Sequence, residues 1–358
     1  MEYNSYRRKS RLVKVGKVGV GGTSPITVQS MLNTDTHDVE GCYRQAAELE
    51  AAGCEILRLT APDVESVSTF SELRRRGISI PLVADIHFNY KIALAAIEAG
   101  VDKIRINPGN IGSRDKVREV VLVAKERGVP IRIGVNSGSL EEQLLRKYGS
   151  PTPEALAESA LMHAEILEEL DFQDIILSVK ASDVPNMILA NRILAERTSY
   201  PLHLGVTEAG ARMRAAVKSS VGIGALLSEG IGDTVRVSLT ENPSEEIRVA
   251  REILSALGVR SDTGMDIISC PTCGRTKIDL IEIVRQFEDR ARLEGIDKKN
   301  IKVAIMGCVV NGPGEAREAD IGVAGGKGEA LLFKRGEIIR KINEDNIVEE
   351  LISEIKAL

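Results

Sequence analysis

Residues 131–137 read Ile-Arg-Ile-Gly-Val-Asn-Ser, and this stretch decides the fold. Ile131, Ile133 and Val135 alternate with Arg132, Gly134 and Asn136, so a β-strand here carries one apolar and one polar face. The same alternation recurs in residues 103–108, KIRINP, where Arg105 and Asn107 are interleaved with Ile104 and Ile106. It returns in residues 234–240, TVRVSLT, where Arg236, Ser238 and Thr240 share a face opposite Val235, Val237 and Leu239. Strands of a parallel sheet are covered by helices and normally read apolar throughout. Here the apolar face must meet the helices, so the polar face needs an interior of its own. A barrel lumen supplies one.

Outward from these strands, β-rich runs also occur at 26–32, 56–61, 81–86, 174–182 and 201–207. Helical periodicity lies between them, as in 39–52, 90–99, 113–127, 153–170, 184–198 and 209–228. Eight such alternations over about 240 residues predict an α/β fold, a (βα)8 TIM-type barrel. A doubly wound open sheet is the alternative. Asn242, Pro243 and Glu245 form an N-cap, first-turn proline and N3 glutamate, which starts a last barrel helix that stops at Gly258. The barrel is thus expected over 1–258, a linker over about 259–264, and a small α+β domain over 265–358. In that domain a helix is expected over 277–293, a strand over 301–306 and a closing helix over 345–357. The glycine-rich segment 15–24, VGKVGVGGTS, lacks the strand–loop–helix setting of a phosphate loop and predicts a hairpin closing the barrel bottom.

The inward faces carry too much positive charge. Arg58, Arg105, Arg132 and Arg236, with Lys180, all fall on lumen-facing positions. The acids at hand are Asp85 and Glu208. Any one arginine can pair with backbone or a loop carboxylate, but an unpaired buried guanidinium costs several kcal/mol. The surplus therefore calls for an external anion, and arginine grips phosphate oxygens bidentately. Asn107, Asn136, Ser182 and Ser238 are the neutral contacts expected beside it. His87 shares a face with Asp85, a pair able to orient substrate or move protons. His203 is a weaker candidate, and His37 and His163 read as peripheral.

The five cysteines are unevenly spread: Cys42 and Cys54 early, Cys270, Cys273 and Cys308 late. An odd count is poor material for disulfides, whereas CxxC with a third cysteine in one small domain points to metal. Structural zinc wants four cysteines or histidines, and residues 266–358 contain no fourth cysteine and no histidine. An iron–sulfur cubane tolerates an oxygen ligand. Glu315 follows Cys308 after a turn-forming Gly312-Pro313-Gly314.

A net charge of −5 argues against general nucleic-acid binding. No apolar run is long enough for a membrane span, and the basic N-terminus has no apolar segment behind it, so a cytoplasmic location is expected. Arg7, Arg8 and Lys9 read as a solvated tail.

Together these motifs resemble the 4-hydroxy-3-methylbut-2-enyl diphosphate synthase family, in its two-domain bacterial form. The resemblance rests on VQSMLNTDT (28–36), LVADIHFN (82–89), KIRINPGNIG (103–112), RIGVNSGSL (132–140), HLGVTEAG (203–210), SCPTCGRT (269–276) and MGCVVNGPGEA (306–316). It implies a [4Fe–4S] cluster on Cys270, Cys273, Cys308 and Glu315. It implies reduction of 2-C-methyl-D-erythritol 2,4-cyclodiphosphate to 4-hydroxy-3-methylbut-2-enyl diphosphate. It also implies a homodimer in which one subunit's cluster domain closes the other's barrel. On that reading Glu208, Glu315, Asp85 and His87 are catalytic, and Asn311 contacts substrate from the cluster loop. The absence of a pyridine- or flavin-nucleotide motif points to a protein electron donor, ferredoxin or flavodoxin. A pterin-type transferase barrel and a non-catalytic iron–sulfur carrier are the rival readings.

Overall fold

The alternating runs form the strands of a closed parallel barrel. The computed structural model describes residues 5–260, 264–309 and 317–358. A short antiparallel hairpin comes first, β1 (Val13–Val15) and β2 (Val18–Val20), as the glycine pattern predicts. The barrel strands follow: β3 (Thr27–Met31), β4 (Ile56–Thr60), β5 (Leu82–Asp85), β6 (Lys103–Ile106), β7 (Ile131–Asn136), β8 (Ile175–Lys180), β9 (His203–Leu204) and β10 (Thr234–Val235). They pair in the order β8-β7-β6-β5-β4-β3-β10-β9. A parallel bridge between Leu177 and Leu202 joins the two ends, which rules out the open doubly wound sheet.

Helices on the outside bury the apolar strand faces. Helix Pro243–Ala256 is capped as expected, Asn242 accepting from the Ser244 N–H. Two further helices, Ser68–Arg75 and Glu142–Tyr148, are short and charged, and the periodicity reading did not delimit them. At the barrel floor Val13, Val15 and Val20 of the hairpin pack on Ile56, Val83 and Ile176, where three strands begin. The hairpin is the plug of the N-terminal face. No helix among the described residues is long and apolar enough to cross a membrane.

Two expectations need correction. The basic N-terminal segment is not a solvated tail. Arg7 Nη2 lies 2.9 Å from Asp233, and Arg8 donates to the carbonyls of Thr198 and Tyr200 at 2.6 and 2.5 Å. These arginines latch the chain to the segments entering β9 and β10. The last two strands are also much shorter than the 201–207 and 234–240 runs suggest. After the Arg236 N–H reaches the Leu204 carbonyl, the chain leaves the ladder, and the Leu239 N–H is taken by the carboxylate of Glu246.

The residues from Ser261 onward form a separate unit. Its sheet orders β11 (Asp266–Ser269), β12 (Lys302–Met306), β13 (Ile321–Gly325), β14 (Glu329–Lys334) and β15 (Glu337–Asn343), the first three parallel and the rest antiparallel. Helices Leu280–Leu293 and Ile347–Lys356 cover one face, burying Phe287, Leu351 and Ile355 against Val303, Ile305 and Val323.

Candidate functional site

The polar faces converge as the alternation demands. Parallel register sets Thr60 beside Asp85, Asp85 beside Arg105, and Arg105 beside Arg132 around the barrel wall. The side chains of Asp85, Arg105 and Arg132, with Arg58, Asn136, Lys180, Arg236 and Ser238, line a cavity of about 130 Å³. His87 joins this lining, although its side chain is exposed. The wall also includes Gly134, Ser178 and Thr207, which the sequence reading did not name as site residues. Ser178 shares the inward face of β8 with Lys180, so period two alone could have found it.

Glycine makes room for the cations. A Cβ on Gly134 would collide with the Arg105 guanidinium, which instead lies across the strand and donates to the Gly134 carbonyl at 3.1 Å. A Cβ on Gly205 would meet the Arg236 carbonyl and the Lys180 ammonium group.

The charges are unevenly matched. Arg105 Nη1 lies 3.1 Å from Asp85 Oδ1, and Arg58 Nε lies 3.8 Å from Asp85 Oδ2. Burial by itself would raise the Asp85 carboxyl, but Arg58 and Arg105 outweigh it and hold the group at about 2. Glu246, absent from the expected acids, pairs with Arg236 at 3.1 Å. That leaves two buried carboxylates, Asp85 and Glu246, for the five cations Arg58, Arg105, Arg132, Lys180 and Arg236. Glu246 takes the place expected of Glu208, so the acids still number two against five cations.

Arg132 is 1% exposed, and its Nε and Nη2 have no hydrogen-bond partner among the described residues. Burial, then the neighbouring Arg58 and Arg105, push its pKa well below the ordinary value. Lys180 is displaced the same way by burial, with Arg236 and Arg58 adding to the effect. Burial brings Arg58 down to about 10. Lys103, on the same face of β6 as Arg105, is fully buried and also pushed down by burial. The alternation contained it, but the sequence reading passed over it.

The remaining expected residues fall elsewhere. Asn107 is buried at the end of β6, where it accepts from the Gly109 N–H at 3.0 Å and shapes the following loop. Ser182 lies outside the cavity lining, its carbonyl accepting from Lys218 at 3.4 Å. Glu208 is exposed on the loop after β9, next to the lining residue Thr207. Its φ of +52°, with Arg212 at +40°, marks a strained loop, and such strain clusters at working sites. His203 is fully buried with neither ring nitrogen partnered among the described residues. His37 is exposed between Asp35 and Asp63, 2.9 Å from each. His163 is not peripheral: it is buried, bonded to Glu141, and packed where a Cβ on Gly109 would sit.

In the second unit, β11 and β12 are parallel neighbours, with Ser269 beside Ile305. Cys270 and Cys308 therefore leave the same end of the sheet. The Gly307 N–H donates to Cys270 Sγ at 3.2 Å, the kind of N–H···S bond that suits a bound thiolate. Cys273 is exposed, and its own N–H donates to Thr276 Oγ1 at 3.1 Å. Among the described residues no three His, Cys, Asp or Glu side chains gather as a metal site. Glu315 and Asn311 lie outside the described residues. Three cysteines on one loop system are soft donors that fit an iron–sulfur cluster far better than a hard cation. Cys42 and Cys54 are buried in the barrel, and burial pushes their thiols up to about 11 and about 12.

An eight-stranded parallel barrel with its polar residues gathered around a cavity near the C-terminal strand ends is the architecture of a TIM-barrel enzyme. The chain belongs to the GcpE family: the GcpE TIM-barrel domain matches residues 10–251, and the GcpE protein C-terminal domain matches residues 266–357. It is 59% identical over 352 residues to a Clostridium perfringens protein named 4-hydroxy-3-methylbut-2-en-1-yl diphosphate synthase (flavodoxin), covering 98% of this chain and 99% of that one. A protein of the same name from Clostridium acetobutylicum is 58% identical over 349 residues, again covering 98% and 99%. Among solved structures, a type I 3-dehydroquinate dehydratase from Clostridium difficile superposes with a TM-score of 0.51 at 15% identity, covering 70% of this chain and 98% of that one. The dihydropteroate synthase of Yersinia pestis gives 0.50 at 12% identity, over 69% and 98%. These two share the barrel fold alone, so the pterin-type reading gains nothing beyond architecture.

Proposed function

We propose that the protein reduces 2-C-methyl-D-erythritol 2,4-cyclodiphosphate to 4-hydroxy-3-methylbut-2-enyl diphosphate. The observation that carries this reading is the cavity ringed by Arg58, Arg105, Arg132, Lys180 and Arg236 with, among the described residues, Asp85 and Glu246 as the buried acids that pair with them. A diphosphate supplies the missing negative charge, and the relatives' shared name supplies the carbon skeleton. Counted for the fully protonated diphosphates, two electrons and two protons enter, the ring C–O bond breaks, and one water leaves.

Cys270, Cys273, Cys308 and Glu315 would hold a [4Fe–4S] cluster, which supplies the electrons one at a time. Arg58, Arg105, Arg132, Lys180 and Arg236 bind the two phosphates, with Asn136 and Ser238 adding neutral hydrogen bonds. Asn107, Ser182 and Asn311 are proposed contacts from the loops at the strand ends. Asp85 keeps Arg58 and Arg105 aimed at the anion. His87 orients the substrate or passes a proton, and Glu208 on its strained loop is the proposed proton donor.

The absence of a nucleotide motif together with the relatives' naming of flavodoxin supports a small protein electron donor, flavodoxin or ferredoxin. A homodimer rests on the family resemblance. Anaerobic reconstitution with iron and sulfide, followed by incubation with the cyclic diphosphate and a low-potential reductant, tests the reading. Formation of the linear allylic diphosphate is expected. A reconstituted protein that binds the cyclic diphosphate but leaves it unchanged would contradict it.

A further inference from the structure

Helix Pro243–Ala256 sends one carboxylate to the barrel wall. Glu246 is 3% exposed and accepts four hydrogen bonds. Oε1 takes Arg236 Nη2 at 3.1 Å and the Leu239 N–H at 3.2 Å. Oε2 takes Ser30 Oγ at 2.9 Å and Arg236 Nε at 3.3 Å. The donors come from β3, from the residue following β10, and from the irregular segment beyond it. Because β10 ends at Val235, the sheet ladder does not hold the segment after Arg236, and the Glu246 carboxylate does so instead.

We infer that Glu246 is a positioning residue for the anion site: it fixes the fork of Arg236 and the path of residues 236–239 so that Arg236 and Ser238 meet the bound diphosphate. The inference rests on the proposed function and adds a residue to it. Geometry is the reason. Arg236 and Ser238 both line the cavity, yet neither belongs to a strand, so something outside the sheet must set their direction. The two-toothed contact with Glu246 restrains the guanidinium plane and leaves Nη1 outside the pair. Asp85 on β5 pairs with Arg105 at 3.1 Å and approaches Arg58 at 3.8 Å on the two flanking strands. Glu246 also adds negative charge beside an anion site. A group serving only anion affinity would not do so, because that charge opposes binding.

The test uses the reconstituted holoenzyme carrying Glu246→Gln, with inorganic pyrophosphate as the binding probe. The amide keeps one acceptor oxygen, for either the Leu239 N–H or the Ser30 hydroxyl, but removes the charge and one tooth of the fork. Calorimetric affinity for pyrophosphate is expected to stay level or tighten, while kcat falls on the order of a hundredfold, the size expected of a misplaced contact. An unchanged kcat would overturn the inference, and so would a loss of pyrophosphate binding, because Glu246 would then serve affinity or bulk structure. Should Glu246→Gln fail to fold, Ser30→Ala removes one anchor of the carboxylate without changing charge. A lower kcat at unchanged pyrophosphate affinity supports the inference, and an unchanged kcat overturns it. Wild-type protein that binds no pyrophosphate would sink the diphosphate reading of the barrel instead, so the two failures are distinct.

Discussion

Arg105 donates to Asp85 Oδ1 at 3.1 Å while Arg58 approaches the other oxygen of the same carboxylate at 3.8 Å, so one buried acid serves two buried cations. Removing it leaves both guanidinium groups uncompensated. Asp85→Asn is expected to destabilise the barrel by about 3–5 kcal/mol, the usual cost of stripping one partner from a buried pair. Chemical denaturation of the ligand-free protein measures this. Because the folded carboxyl is depressed to about 2, the wild-type advantage is complete above the ordinary carboxylate range and fades as pH falls through 2.

Arg132→Ala is expected to weaken pyrophosphate binding by about 2–5 kcal/mol, since it removes a buried donor set that has no other partner among the described residues. Arg132→Lys should recover little, because a point charge cannot replace a planar fork. Titration calorimetry of the folded variants decides it. Affinity equal to wild type would remove Arg132 from the anion site.

Lys180 gives a pH signature. Burial and the neighbouring cations hold its pKa well below 10.5 in the ligand-free protein. A bound anion favours the charged amine and raises that value, so binding takes up protons. Affinity should therefore fall as pH rises through the depressed ligand-free value, on the near side of 10.5. Calorimetry in buffers of differing ionisation heat should show the uptake, and Lys180→Met should abolish it.

Cysteine substitutions separate the two domains' roles. Cys308→Ala is expected to lose iron and sulfide after anaerobic reconstitution, whereas Cys42→Ser and Cys54→Ser should retain both. The two barrel thiols are buried and pushed up to about 11 and about 12, which leaves them poor ligands. Iron and sulfide analysis reads the result. Full cluster content in Cys308→Ala would remove that cysteine from the ligand set.

Glu208→Gln should leave pyrophosphate affinity unchanged and lower turnover of the cyclic diphosphate by about 10²–10⁴-fold, the range of general acid–base contributions. Equal turnover would assign the proton elsewhere.

The barrel was legible because period two is a local property: Ile131, Ile133 and Val135 alternate with polar residues whatever the rest of the chain does. The hairpin and the Asn242 cap were legible for the same reason. What escaped depends on distance. Arg7 and Arg8 find Asp233, Thr198 and Tyr200 some two hundred residues away, and nothing in RRK announces those partners. The early end of β10 goes with a carboxylate on another element, Glu246, which takes the Leu239 N–H. Glu246 itself was readable in part. It lies four residues before Ala250 and seven before Ile253, on the helix's buried stripe, and an acid there needs a cation. The helix start drew attention to Glu245 as a capping residue instead. Glu208 was named, but its left-handed backbone is visible only in three dimensions.

Among the described residues the lumen holds five cations against two buried acids, and a polyvalent anion is therefore expected there. Calorimetric titration of ligand-free wild-type protein with inorganic pyrophosphate tests this most directly. One site per chain is expected, weakening steeply with added salt and by roughly 2–5 kcal/mol in Arg132→Ala. No saturable heat, or a saturable site indifferent to both salt and Arg132, would contradict it.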